Sequence, residues 1–142
     1  YASATTSLLF NLAIGSTPNG GMMSLYSEVF NIQRKIICEA ADAGNCVIVG
    51  RCADYILREC ENCMNVFIHS SFEKRAQRIT EVYGDKTKSP EKRLKEMDKK
   101  RRVYCQNFTG HDWGSTHNYH LCIDSGFYGI EKSAEIIVNA VK

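Results

Sequence analysis

Apolar residues recur along this chain with two different periods. Leu25, Val29, Ile32, Ile36 and Ala40 return every three or four positions, which places them on one stripe of a helix over residues 24–43, with Gly44 suited to end it. A weaker stripe, Leu8, Leu9 and Leu12, predicts a helix over residues 3–14. The turn formers Gly15-Ser16-Thr17-Pro18-Asn19-Gly20-Gly21 break it as a loop or hinge. Cys46-Val47-Ile48-Val49 has no period. A short, continuous, β-branched run of this kind predicts a strand buried on both faces, as in a parallel sheet covered by helices. Gly50 and Arg51 end it, at the strand end where open α/β sheets bind ligands.

A short helical stretch, residues 53–59, leads to a second predicted strand, Asn65-Val66-Phe67-Ile68-His69. The separation is enough for a crossover, so the two strands are expected to be parallel, adjacent or with one strand between them. Ser70-Ser71-Phe72-Glu73 has the form of a capping box. The helix it opens turns Phe72, Ala76 and Ile79 inward, with Arg75 and Arg78 beside that stripe, and ends at Gly84. After a polar connector over residues 85–89, Pro90 opens a helix over residues 90–108. Its stripe runs Leu94, Met97, Tyr104 and Phe108, and Arg101 falls on the same face. An arginine there calls for an anionic partner unless it snorkels to water. A loop follows, with Trp113 able to pack over an edge. Tyr119-His120-Leu121-Cys122-Ile123-Asp124 is the third strand, and Ile130, Ala134, Ile137 and Val141 share a face of the last helix. The order of elements predicts an α/β layer architecture.

Composition narrows the class. The 142 residues are the length of one domain, and 44% hydrophobic with 24% charged residues is ordinary for a globular protein. No apolar run approaches the roughly 18–20 residues of a membrane span, and no signal peptide is apparent, so a cytoplasmic protein without a membrane partner is expected. Seven cysteines, an odd number set mostly in apolar or helical stretches, fit reduced thiols. Cys60-Glu61-Asn62-Cys63 has the spacing of half a zinc site, but no second pair matches it. His111, His117 and His120 fit solvated or packing roles, and no metal site is expected.

Charge is uneven. Residues 72–102 hold twelve Lys/Arg against six Asp/Glu, or +6, and the remainder holds six against ten, or −4, within a net +2. Phosphate-bearing ligands suit such a basic region, as does a plain solvated pair of helices. Nucleic acid is not expected, because acidic residues interrupt the basic run and no aromatics interleave it between Lys86 and Arg102.

Three stretches together resemble the cytidylate kinase-like family of P-loop proteins. They are Cys46-Val47-Ile48-Val49-Gly50-Arg51, Asn65-Val66-Phe67-Ile68-His69 with its capped basic helix, and Met97-Asp98-Lys99-Lys100-Arg101-Arg102-Val103-Tyr104. Trp113-Gly114, Asn118 to Ser125 and Gly129-Ile130-Glu131-Lys132 look like that family's last strand and helix, and the resemblance spans residues 33–142. It implies a three-layer P-loop NTPase-like parallel sheet, incomplete here because the first strand and phosphate loop are absent. The implied layout is acceptor-side helices over 1–44, sheet core over 45–70 and 117–142, and lid helices over 71–110.

The implied activity is transfer of a phosphoryl group from ATP, with Mg²⁺, to a cytidylate-type nucleoside monophosphate. Arg51, with Asp54, would bind the acceptor. Arg101, Arg102 and Lys100 would act on the transferred phosphoryl group, and Arg75, Arg78, Asp124 and Ser125 would bind nucleotide. Where the family usually has Asp after Gly-Arg, this chain has Cys52, which leaves cytosine preference open. No G-x-x-x-x-G-K-[ST] occurs in the sequence. An upstream segment supplying the strand and loop is therefore expected, Tyr1 being no natural start. The alternative is a non-catalytic nucleotide-sensing or protein-binding member of the fold. An open sheet edge is also compatible with a homo-oligomer.

Overall fold

The longest apolar stripe forms the longest helix, α1 (Gly20–Asp42), in a computed structural model that describes residues 20–84 and 89–141. The predicted helix at 3–14, most of the turn run after it and most of the connector at 85–89 lie outside the described residues. Gly20 and Gly21 belong to α1 and not to the loop. The chain divides into two compact units, Tyr1–Ala53 and Asp54–Lys142.

In the first unit the buried face of α1 is turned from the expected one. Ile37 is buried, with Tyr26, Phe30 and Gln33 half-buried in line with it, whereas Ile32 and Ile36 are exposed. Residues 30–37 carry apolar side chains on two adjacent stripes, and the stripe with the aromatics is the buried one. Gly44, at φ 80°, follows the helix as expected.

The strand expected at residues 46–49 does not form. These residues belong to no regular element, with Val47 93% and Val49 87% exposed. A strand is defined by backbone hydrogen bonds to a neighbour, and among the described residues none pairs with this segment. It ends in three consecutive residues of positive φ, Gly50 (73°), Arg51 (59°) and Cys52 (55°).

The second unit is a mixed α/β layer around a small parallel sheet. Helix α2 (Ala53–Ile56) precedes β1 (Val66–His69), which pairs in parallel with β2 (Leu121–Asp124) in the register Val66 to Leu121 through His69 to Asp124. The two strands are direct neighbours, and the connection between them carries α3 (Phe72–Tyr83) and α4 (Pro90–Thr109), which pack together. The short α5 (Ser125–Tyr128) and α6 (Ile130–Ala140) complete it.

Capping follows sequence closely. Ser71, one residue later than the expected box, accepts from the Lys74 N–H at 3.3 Å, and Ser89 accepts from the Lys92 N–H at 3.3 Å ahead of Pro90. Gly84 and Gly110 close the two helices at positive φ.

The faces of α4 and α6 differ from expectation. On α4 the buried positions are Leu94, Asp98 and Cys105, and Met97 is 42% exposed. The spacing of four and seven is helical, but its middle member is a carboxylate, so an apolar stripe drawn from sequence slides to Met97. On α6 the buried residue is Ser133, whose hydroxyl donates to the Gly129 carbonyl, and Ile130, Ala134 and Val141 are exposed.

The sheet core is thin. Ile123 is 3% exposed, while Ile68, its partner across the ladder, is 54% exposed. Ile123→Ala should therefore cost about 3 kcal/mol in urea unfolding, and Ile68→Ala under about 1 kcal/mol. Equal losses at the two positions would contradict this burial pattern.

Candidate functional site

Two basic helices with a net positive charge would repel each other unless something between them were negative. That group is Asp98. It is 8% exposed, although it stands on a helix with seven lysines and arginines within two turns on either side. Arg75, from α3, grips it with both terminal nitrogens, at 3.1 and 2.9 Å. Arg101, one turn along α4, donates to Asp98 Oδ1 at 3.1 Å. A bidentate guanidinium–carboxylate pair is the strong, oriented form of this interaction, and the second arginine compensates the remaining charge.

Neither arginine is used up by Asp98. Nearly half of the Arg101 side chain is exposed, and its guanidinium lies 5.7 Å from the centre of the Trp113 ring. The Arg75 Nε–H is buried with no hydrogen-bond partner among the described residues. An unsatisfied buried donor is costly, and an acceptor oxygen placed there would remove that cost.

The aromatic support is local. Phe67 of β1 meets Trp113 edge-on at 5.7 Å and Tyr119 at 4.9 Å. Gly114 makes this fit possible, because it sits at φ 81° and a Cβ there would lie 3.0 Å from the Phe67 ring. Trp113 does pack over the sheet, as its position in the loop suggested, and it also carries Arg101.

At the carboxyl ends of β1 and β2, Asp124 and Ser125 are half-buried and make structural hydrogen bonds. Asp124 Oδ1 accepts from the Gly126 N–H at 2.9 Å and caps α5. The Ser125 hydroxyl donates to the His69 carbonyl at 3.0 Å, and Lys74 donates to the Gly126 carbonyl. A Cβ on Gly126 would lie 2.2 Å from the Ser70 hydroxyl, so a larger residue there would have to displace that side chain.

The remaining expected site residues on α3 and α4 are Arg102, Arg78 and Lys100. Arg102 is exposed and lines a shallow groove with Gln106, Asn107 and Asp112, about a hundred degrees around the helix from Arg101. Arg78 is exposed on α3, and Lys100 is half-buried on α4. Arg51 belongs to the first unit, half-buried and held in the left-handed region, which costs a non-glycine residue about 1–2 kcal/mol. Strain of that kind persists where neighbouring structure imposes it, often at functional positions.

Asp54 belongs to the second unit and faces the opposite end of the sheet. It accepts a hydrogen bond from the Tyr119 hydroxyl and lines an open pocket of about 220 Å³ with Arg58, Asn65, His111, His117 and His120. In that pocket the Asn65 N–H donates to His120 Nδ1 at 3.0 Å, which puts the proton of neutral His120 on Nε2. Among the described residues no three of His, Cys, Asp and Glu gather as a metal site requires.

Asp98 and Tyr119 were missed from sequence as site-forming residues. Asp98 had a signal: Asp98-x-x-Arg101 puts a carboxylate one turn from the arginine on the same side of the helix.

The family model described as the cytidylate kinase-like family matches residues 1–126. It takes in the N-terminal residues and stops short of α6. A crystal structure of an uncharacterized protein from Eubacterium ventriosum ATCC 27560 is similar to this chain with a TM-score of 0.75 and 26% identity, over 96% of this chain and 79% of that one. No curated protein matches the chain.

Tyr119 gives the site a pH signature. Burial, then the charge and hydrogen bond of Asp54, push its phenol well above the ordinary value. The unfolded chain loses this proton near pH 10 and the folded chain does not, so Tyr119 contributes stability below that pH that is lost as pH rises beyond it. In unfolding curves from pH 8 to 11, Tyr119→Phe should show a shallower decline than the unaltered protein. Parallel declines would contradict the assignment.

Proposed function

The chain belongs to the cytidylate kinase-like family, and from that premise we propose that it carries the phosphoryl-handling part of a nucleoside monophosphate kinase, ATP and a cytidylate-type monophosphate giving ADP and the diphosphate. The observation that carries this reading is the pair of guanidinium groups, one from each basic helix, aligned on buried Asp98. Phosphoryl transfer spreads negative charge over three oxygens and demands little covalent chemistry from the protein. Donors already oriented and partly desolvated stabilise that charge without reorganising at the moment of transfer.

In this reading Arg101 and Arg75 contact the transferred group, with Lys100 and Arg102 adding field along α4. Arg51, in its own unit, holds the phosphate of the acceptor, and Asp124 and Ser125 lie on the adenine side. The finer fold belongs to the same proposal: β1 and β2 are neighbouring strands of a three-layer P-loop NTPase-like sheet, in a cytoplasmic protein whose partners are nucleotides. Mg²⁺ bound with ATP would neutralise phosphate charge. With no carboxylate cage among the described residues, the ion is best accommodated through nucleotide phosphates and water.

A second reading is a nucleotide-sensing member without turnover, in which the same clamp binds phosphate and transfers nothing. The two readings differ in a single assay. The full natural protein, given ATP, Mg²⁺ and cytidine monophosphate, should release ADP, and Arg101→Ala should lower kcat about 10²–10³-fold with the fold intact by circular dichroism. Arg51→Gly relieves a positive φ, so it should raise stability by about 1 kcal/mol while raising KM for the monophosphate. Nucleotide binding without turnover would select the sensing reading, and turnover unchanged by Arg101→Ala would overturn the role of the clamp.

A further inference from the structure

One pair of reactive side chains lies outside everything phosphoryl transfer uses. Neither Cys60 nor Cys63 is in a disulfide, and Cys60 is exposed and Cys63 half-buried. A cysteine that serves only as a small hydrophobe belongs in a core, as buried Cys105 does. These two stand instead in a polar turn with Glu61 and Asn62 between them.

The turn is tight. The Cys63 N–H donates to the Cys60 carbonyl at 3.2 Å, and none of the four residues has a positive φ. A β-turn closed this way holds its end Cα atoms within about 7 Å, and a disulfide spans Cα atoms about 4.4–6.8 Å apart. The two thiols can therefore bond with little backbone movement. The turn is also seated at both sides. The Cys60 N–H donates to the Leu57 carbonyl at 3.0 Å, and beyond Cys63 the side chain of Asn65 donates to the Asp54 carbonyl at 3.2 Å. Among the described residues no further donors gather with this pair as a metal site requires. The closed turn between the two thiols suits two-sulfur chemistry.

We propose that Cys60 and Cys63 form a reversible dithiol–disulfide site that exchanges with disulfide oxidants of the glutathione type. The more exposed Cys60 attacks as thiolate on one sulfur of the oxidant. The oxidant's S–S bond breaks, a mixed disulfide forms, and one thiol leaves with a proton. The Cys63 thiolate then attacks the Cys60 sulfur and expels the second thiol. Two electrons and two protons pass from the cysteine pair to one disulfide, which becomes two thiols. The product pins the turn between Arg58 and Asn65, both of which line the 220 Å³ pocket at the amino ends of the strands.

The test equilibrates the full chain in buffers of reduced and oxidised glutathione, quenches by alkylation and maps peptides by mass. The peptide holding both cysteines should lose two hydrogen atoms reversibly, with the oxidised-to-reduced ratio rising tenfold for each ~30 mV of buffer potential, the slope of a two-electron couple. Cys60→Ser should abolish that species and leave at most a glutathione adduct on Cys63. The double variant Cys60→Ser/Cys63→Ser should keep the far-ultraviolet spectrum, which separates loss of the site from loss of the fold. Thiols that stay free at every ratio, a persistent glutathione adduct on Cys60, or pairing of Cys60 with another cysteine would each overturn the proposal.

Discussion

The carboxylate of Asp98 sets how the two basic helices lie against each other. Taking a carboxylate out of water costs several kcal/mol, and only close, oriented cations offset it. Arg75 does so with two hydrogen bonds and Arg101 with a third. Against an apolar residue of the same size such a cluster contributes little net stability. What it provides is geometry, because α3 must lie where Arg75 can reach across to the carboxylate with both terminal nitrogens.

That geometry matters for function because it leaves donors in place. Arg101 keeps nearly half of its side chain exposed beside Trp113, and Arg75 keeps a buried Nε–H without a partner among the described residues. The aromatic cluster of Phe67, Trp113 and Tyr119 ties this edge to the sheet, and Gly114 lets it close. The first unit shows the same economy in a different form: Arg51 follows an apolar run without regular structure, held at a positive φ that its side chain disfavours.

Much of the second unit was legible in sequence because its signals were local. Pro90 and Gly84 mark helix ends through backbone chemistry, and the capping serine expected ahead of α3 is found one residue on, at Ser71. Val66 to His69 and Leu121 to Asp124 form strands because they find each other in parallel register. The segment at residues 46–49 has equally strong strand composition and is unpaired among the described residues, since composition supplies apolar side chains and not a hydrogen-bonding neighbour. The buried face of α4 was misread for a related reason. Apolar periodicity cannot register a buried carboxylate, so the stripe was drawn through Met97 and the anionic partner of Arg101 was sought outside the chain, when Asp98 lies three residues before it. Arg75 and Arg101 come together in space, and Arg102 does not join them, a distinction of one residue that only the helix geometry decides.

The most direct test of this account is a double-mutant cycle on Arg75 and Asp98, with stability read from urea unfolding of the unaltered protein, Arg75→Ala, Asp98→Ala and the double variant. If the carboxylate holds the two helices through Arg75, the losses are coupled by more than about 1 kcal/mol, the double variant being far less destabilised than the two single losses together would make it. Losses that add to within about 0.5 kcal/mol would show that the helices are held by other contacts, and would contradict the central place given to Asp98.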